Sequence, residues 1–243
     1  MLNFYVVFNS KVNVFFPNTE AIATVILQTD TFIKARKIDI KIIGRAKTEW
    51  HEYEYQNDYD GCNRTEFIPY GAEMLYLNSY AVLWASMDGT NMLPPGNYQF
   101  PFKFVIPANS PPNMSGEYGN VRYFVKANID IPWAIDESRY MGFSVCPLID
   151  LNLNGQLALP VVTGSTEMET KCCSCTSYPL TITVNLPKTG YVPGETVAVR
   201  VDLNNTTTSI VTSIELGITS SMVFTGHCEA TIYMDIHGFD NKL

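Results

Sequence analysis

Cys172-Cys173-Ser174-Cys175 is the densest run of reactive side chains in the sequence. Cys172 and Cys175 have the spacing that lets two thiolates grip one zinc ion. The other half of a tetrahedral site would have to come from elsewhere, and His227-Cys228 supplies the only candidates. A redox role wants such a pair at a helix start beside a βαβ unit, and no such pattern flanks it. S-acylation would tether this segment to a membrane. Reduced thiols at a strand entrance are the simplest reading and need no ligand. Cys172 and Cys175 therefore stand as metal candidates only, and no cofactor is expected.

Other catalytic frames are missing. His51 is followed by Glu52 and Glu54, yet no His-Glu-x-x-His occurs. There is no Gly-x-Ser-x-Gly elbow, no Gly-x-x-x-x-Gly-Lys phosphate loop and no Gly-x-Gly-x-x-Gly. The carboxylates are scattered. The expectation is a protein without catalytic residues, not an enzyme.

The elements that must carry the remaining residues are strands. Hydrophobic residues make up 46% of the 243 and aromatics 12%, enough to bury a core, while charged residues are only 16%. Val, Ile, Thr, Tyr and Phe are abundant, which favours β-structure. The net charge of −8 argues against nucleic-acid binding, which needs a basic footprint. Lys34, Arg36, Lys37 and Lys41 form a local basic group, either a docking patch or a solvated strand face. No apolar run of about 18 residues suggests a membrane-crossing helix. The start, Met1 to Phe8, is apolar but has no basic leader or cleavage site, so it reads as a first strand. Without a secretory signal, reduced cysteines are the default.

Residues 95 to 133 are the most informative stretch. Phe100, Phe102, Phe104 and Ile106 alternate onto one face. Val121, Tyr123, Val125, Ala127, Ile129 and Ile131 do the same, with Arg122, Lys126, Asn128 and Asp130 on the other. A period of two over this length means half-buried strands. Phe100, Phe102, Phe104, Val121, Tyr123 and Val125 are predicted to face one core. Predicted strands cover Asn3–Phe8, Ala21–Thr29, Ile33–Arg45, Gln99–Ile106, Gly119–Asp130 and Tyr140–Pro147. Tyr53 to Gly71, rich in tyrosine and poor in aliphatics, reads as a surface loop, and Leu151 to Ser174 as a connector. Trp133, after Pro132, is expected to pack in the core or between domains, because large aromatics are mostly buried.

The same stretch resembles the arrestin family, in its arrestin-domain-containing (α-arrestin) branch. The carriers are Pro101-Phe102-Lys103-Phe104-Val105-Ile106-Pro107, Gly116-Glu117-Tyr118-Gly119-Asn120-Val121-Arg122-Tyr123-Phe124-Val125-Lys126-Ala127, and Pro132-Trp133. An internal repeat agrees. Pro17 to Leu27 can be laid on Pro193 to Leu203, and the same offset lays Ile38, Ile40 and Ile42 on Ile214, Leu216 and Ile218. A repeat this long indicates a duplicated domain. Arrestins are two related β-sandwiches, each opening with a Tyr-x-Pro-Gly-Glu-like turn. Tyr191-Val192-Pro193-Gly194-Glu195 matches it, and Phe16-Pro17-Asn18 departs at Asn18, where Asn still tolerates a left-handed backbone. Cys-Cys-x-x-Cys runs similar to the one here occur in some α-arrestins, consistent with inherited packing.

The implied fold is all-β: two tandem immunoglobulin-like sandwiches, the second incomplete. The expected domains are 1–148, a connector over 149–177, and a partial sandwich over 178–243. The resemblance implies a non-catalytic cytoplasmic adaptor in protein transport. Such a protein binds membrane receptor or transporter tails for endocytosis, sorting or ubiquitylation, with peripheral recruitment to the plasma membrane or endosomes. Phosphate sensing by Arg122 and Lys126 is set against ordinary surface ion pairing with Asp130. Family members recruit ubiquitin ligases through Pro-Pro-x-Tyr, which is missing: Pro94-Pro95-Gly96-Asn97-Tyr98 has one residue too many. The rival readings are a retromer-like coat subunit and a secreted β-sandwich binding module.

Overall fold

Alternation of apolar and polar residues, punctuated by Pro and Gly, builds this chain almost wholly from strands. The computed structural model describes residues 2–57, 63–87, 89–170, 177–227 and 231–242. In the first part of the chain the strands are β1 (Leu2–Phe8), β2 (Val14–Phe15), β3 (Glu20–Thr29), β4 (Ile33–Lys34), β5 (Lys37–Asn57) and β6 (Asn63–Ala85). They continue with β7 (Met92–Leu93), β8 (Gly96–Val105), β9 (Met114–Ser115), β10 (Gly119–Asp130) and β11 (Glu137–Val145). Then follow β12 (Val161–Thr170), β13 (Ser177–Leu186), β14 (Arg200–Asn205), β15 (Glu215–Thr225) and β16 (Thr231–Lys242). There is no α-helix among the described residues.

Two sheets form the first sandwich. One has the order β1-β3-β8 and the other β2-β11-β10-β5-β6, with β9 beside β10. Their inner faces share one core, in which Val25, Leu27, Ile38, Ile40, Val125 and Ile129 are among the most buried side chains. Phe104, Val121, Tyr123 and Val125 are buried as predicted, and Phe100 and Phe102 lie half-buried against the same core. The chain divides into two bodies, Met1–Leu148 with Ser221–Asp235, and Ile149–Ser220 with Ile236–Leu243. In the second body β12-β13-β14 form a sheet, and β13 shows half-buried side chains from Tyr178 to Leu186 rather than a buried face.

Two expectations are corrected. Tyr53 to Gly71 is not a loop: β5 and β6 pair in register on both sides of its tip, through Trp50↔Tyr70 and Tyr53↔Phe67. This stretch lacks aliphatics because cross-strand ring contacts, such as His51 stacked on Phe67 at 4.9 Å, hold it instead of a core. The stretch Leu151 to Ser174 is also more than a connector. It carries two short 3-10 turns, Leu151–Leu153 and Gly155–Ala158, and then β12, which pairs with β13 from Val161↔Leu186 onward.

The two family turns have the same geometry. Pro17 and Pro193 sit second in turns closed by Thr19 N–H to Phe16 O at 3.2 Å and Glu195 N–H to Val192 O at 3.0 Å. The third residues, Asn18 (φ 62°) and Gly194 (φ 87°), are left-handed. This is the pattern of a type II turn, where Pro presets the second position and Gly or Asn suits the third. Glu195 also accepts a hydrogen bond from Val192 N–H at 3.1 Å and pairs with Lys188, which holds its carboxyl below the usual range.

Trp133 overturns its expectation. Ile131-Pro132-Trp133-Ala134 is a third turn of this type, closed by Ala134 N–H to Ile131 O at 3.4 Å. Trp133 takes the left-handed third position, at φ 61°, and its side chain is 104% exposed. It packs in no core. A left-handed non-Gly residue costs roughly 1–2 kcal/mol, so this turn is locally strained with no internal packing to offset it.

Tyr123 sets a pH dependence. Its ring lies where a Cβ on Gly44 would come within 2.4 Å, and its hydroxyl donates to Pro111 O at 2.7 Å. Burial pushes the phenol up to about 12. The unfolded chain ionises this group near pH ~10, while the folded chain holds its proton. Stability is therefore fully present below that pH and is lost as pH rises through the folded value. At pH 7, Tyr123→Phe is expected to lose about 1 kcal/mol, from the unmet Pro111 carbonyl. The wild-type advantage should narrow in urea titrations between pH 10 and pH 11; a constant difference would remove Tyr123 as the cause.

Candidate functional site

The outer face of the larger sheet of the first sandwich collects the charges that the core excludes. Burial of Val121, Tyr123 and Val125 sends Arg122, Phe124 and Lys126 outward on β10. The register with β5 then decides who meets whom. Arg122 stands directly opposite Arg45, and Lys126 directly opposite Lys41. Like charges directly opposite each other on adjacent strands are destabilising. Two such pairs, four residues apart, lie on one solvent face of a protein whose net charge is −8.

Part of this charge is answered locally. Arg45 Nη1 reaches Glu73 Oε1 at 3.1 Å, and its guanidinium lies 5.9 Å from the Phe124 ring. Lys47 pairs with Glu49. Lys126 sits over the Tyr140 ring at 5.6 Å. Lys37 Nζ donates to Tyr80 Oη at 2.8 Å and lies 3.1 Å from Asp39 Oδ2; these bonds raise its pKa. Arg122 and Lys41 are exposed and have no carboxylate partner among the described residues.

Two depressions lie along this face. One, of about 770 Å3, is lined by Arg45, Lys47, Arg122 and Tyr140 with the polar side chains of Asn13, Ser115, Asn120 and Ser144. The second, of about 520 Å3, is lined by Lys37, Lys41, Lys126, Tyr80 and three aspartates, Asp39, Asp130 and Asp136. Asn113 fixes the rim of the first: its Oδ1 accepts from Val145 N–H at 2.8 Å and its Nδ2 donates to Phe143 O at 3.1 Å.

The sequence-predicted residues divide accordingly. Arg122 and Lys126 share the face, but Asp130 pairs with neither of them. Its Oδ1 takes Arg36 Nε at 2.8 Å. Of the local basic group, Arg36 is spent in that pair, while Lys37 and Lys41 line the second depression. Arg45 and Lys47 were missed as site residues, because only the pairing register brings them beside Arg122 and Asn120. Cys172 and Cys175, the metal candidates, and Cys228 lie outside the described residues, and among the described residues no cluster suited to a metal ion exists.

The rim of this sandwich also receives a late part of the chain. Phe224 is buried against Tyr118, with ring centroids 5.7 Å apart in an edge-on contact. A Cβ on Gly116 would come within 2.5 Å of the Phe224 ring, so the Gly-Glu-Tyr-Gly motif leaves room for it. Thr48 Oγ1 donates to Thr225 O at 2.7 Å. Gly226 lies against Trp50, which stacks on Tyr70.

Comparison with known proteins agrees with this architecture. The family model "Arrestin (or S-antigen), N-terminal domain" matches residues 4–152, and "Arrestin (or S-antigen), C-terminal domain" matches residues 176–237. Arrestin domain-containing protein 17 of Caenorhabditis elegans is 26% identical over 231 residues, covering 92% of this chain and 54% of that protein. Arrestin domain-containing protein 4 of Homo sapiens is 25% identical over 194 residues, 77% of this chain and 44% of that protein. Thioredoxin-interacting protein of Homo sapiens is 25% identical over 214 residues, 86% of this chain and 51% of that protein. The chain thus spans about half the length of the curated relatives it matches. With both arrestin domain models matched in order, the chain belongs to the arrestin family, and the relatives it matches include arrestin domain-containing proteins.

Proposed function

We propose that this chain is a non-catalytic cytoplasmic adaptor that holds an extended acidic segment of a membrane receptor or transporter tail. The segment would lie along the outer face of the larger sheet, and the captured cargo would be passed on for endocytosis, sorting or ubiquitylation. The family as a whole supports the coarser part, since arrestin-family proteins are generally adaptors and not enzymes. The finer part rests on one observation: Arg122 faces Arg45 and Lys126 faces Lys41 on adjacent strands, and Arg122 and Lys41 have no carboxylate partner among the described residues, so an acidic segment would relieve both pairs. Four residues along a strand span about 13 Å. An extended peptide has the same rise, so acidic groups four positions apart in a tail would meet both pairs. Recruitment would be to the plasma membrane or endosomes. No helix among the described residues is long and apolar enough to cross a membrane.

Titration of fluorescent peptides tests the reading. A flexible peptide with Glu at two positions four apart is expected to bind roughly tenfold more tightly than its Gln counterpart. The difference should shrink as salt screens exposed charges. Equal affinity for both peptides would remove the acidic-segment reading.

A further inference from the structure

The first sandwich also carries an exposed apolar loop end. We propose that the loop end carrying Trp133, Ile135 and Met87 inserts into the interfacial region of a lipid bilayer.

Three observations converge on this end. First, Trp133 occupies a left-handed turn position filled elsewhere in the chain by Asn18 and Gly194. The fold gains nothing from its side chain, which is fully exposed. A strained residue unsupported by packing points to a role outside the fold. Second, it does not stand alone. Ile135 is 94% and Met87 101% exposed, and the loops that bear them are bound together. Arg36 N–H donates to Asp130 O at 2.8 Å, and Ser86 N–H donates to Arg36 O at 3.0 Å. Third, the tip is held in place and its carboxylates are engaged. Asp136 accepts from Asn128 Nδ2 at 3.1 Å and from Ile131 N–H at 3.0 Å, bonds that hold its carboxyl below the usual range. Asp130 is paired with Arg36, and Glu137 with Arg139.

The shape selects the occupant. These side chains project from separate loops and are nearly or wholly free of protein contact, so a protein partner would need a matching socket for each. A bilayer accommodates such tips without sockets. Trp favours the headgroup level, where its ring is in apolar surroundings and its N–H stays wet. With a net charge of −8, adsorption to anionic lipid by the whole surface is disfavoured. Apolar insertion must therefore carry the binding, which should need no anionic lipid and should resist salt.

Co-sedimentation with phosphatidylcholine vesicles, read together with tryptophan emission, tests this. Trp50 is buried and Trp84 half-buried, so an emission shift reports mainly on Trp133. The full chain is expected to sediment with the vesicles and shift its emission to the blue at low and high salt. Trp133→Ala should lower partitioning at least about tenfold. Trp133→Gly relieves the left-handed strain, so it should raise the melting temperature while losing the vesicles, a combination that damage to the fold cannot produce. Failure of the wild type to bind, or undiminished binding by Trp133→Ala, would overturn the proposal. So would concentration-dependent self-association that Trp133→Ala abolishes in the absence of vesicle binding, which would make this end an interface between copies.

Discussion

Val125→Asp is expected to unfold the first sandwich, while Val201→Asp leaves the chain folded. Val125 is 0% exposed at the centre of β10, between partners on β5 and β11. A carboxylate there would be buried without a partner, at a cost of several kcal/mol. Domains of this size are stable by only about 5–15 kcal/mol, so one such change removes much or all of the margin. Val201 lies on β14, in a body whose described side chains show no comparable buried cluster, and its side chain is half-buried. Its replacement should cost no more than about 1 kcal/mol. Circular dichroism melts of the two variants decide between these outcomes. Equal losses would mean that the second body packs a core of its own.

How much of this was legible in the sequence varies by element, for physical reasons. The bounds predicted for β10, Gly119–Asp130, match the structure because one of its faces is buried without interruption. Where burial on one face ends, the signal ends with it. The outer halves of β5 and β6 are held by cross-strand rings such as Tyr53 and Phe67 at 5.8 Å, and so read as a loop. Strand β12, with Thr163, Ser165, Thr166 and Glu167 in its length, is exposed wherever its side chains are described and shows no apolar alternation. Pro132 signalled a turn correctly, but the usual burial of tryptophan pointed Trp133 inward. The turn won, because its third position turns the chain back towards β11 while the ring is left in solvent.

The charged face was legible only in half. Alternation alone puts Arg122 and Lys126 on one side of β10. That they meet Arg45 and Lys41 is a property of register between strands some eighty residues apart, and no local pattern encodes it. The turn prolines show the opposite case. Asn18 and Gly194 adopt the left-handed backbone that their residue types allow, and the repeat was readable from them.

The central claim, that the facing cations exist to hold an acidic tail, is tested most directly by reversing one side of both pairs. The double variant Arg122→Glu with Lys126→Glu turns each repulsive pair into an attractive one, opposite Arg45 and Lys41. Each new pair should add roughly 0.2–1 kcal/mol, offset at Lys126→Glu by the nearby Asp136, so the melting temperature should hold. Affinity for the acidic peptide, measured by anisotropy on the same preparation, is expected to fall at least about tenfold. A variant that is as stable as the wild type, or more so, and no longer binds is the result this account requires. A variant that is equally stable and binds the acidic peptide as before would contradict it.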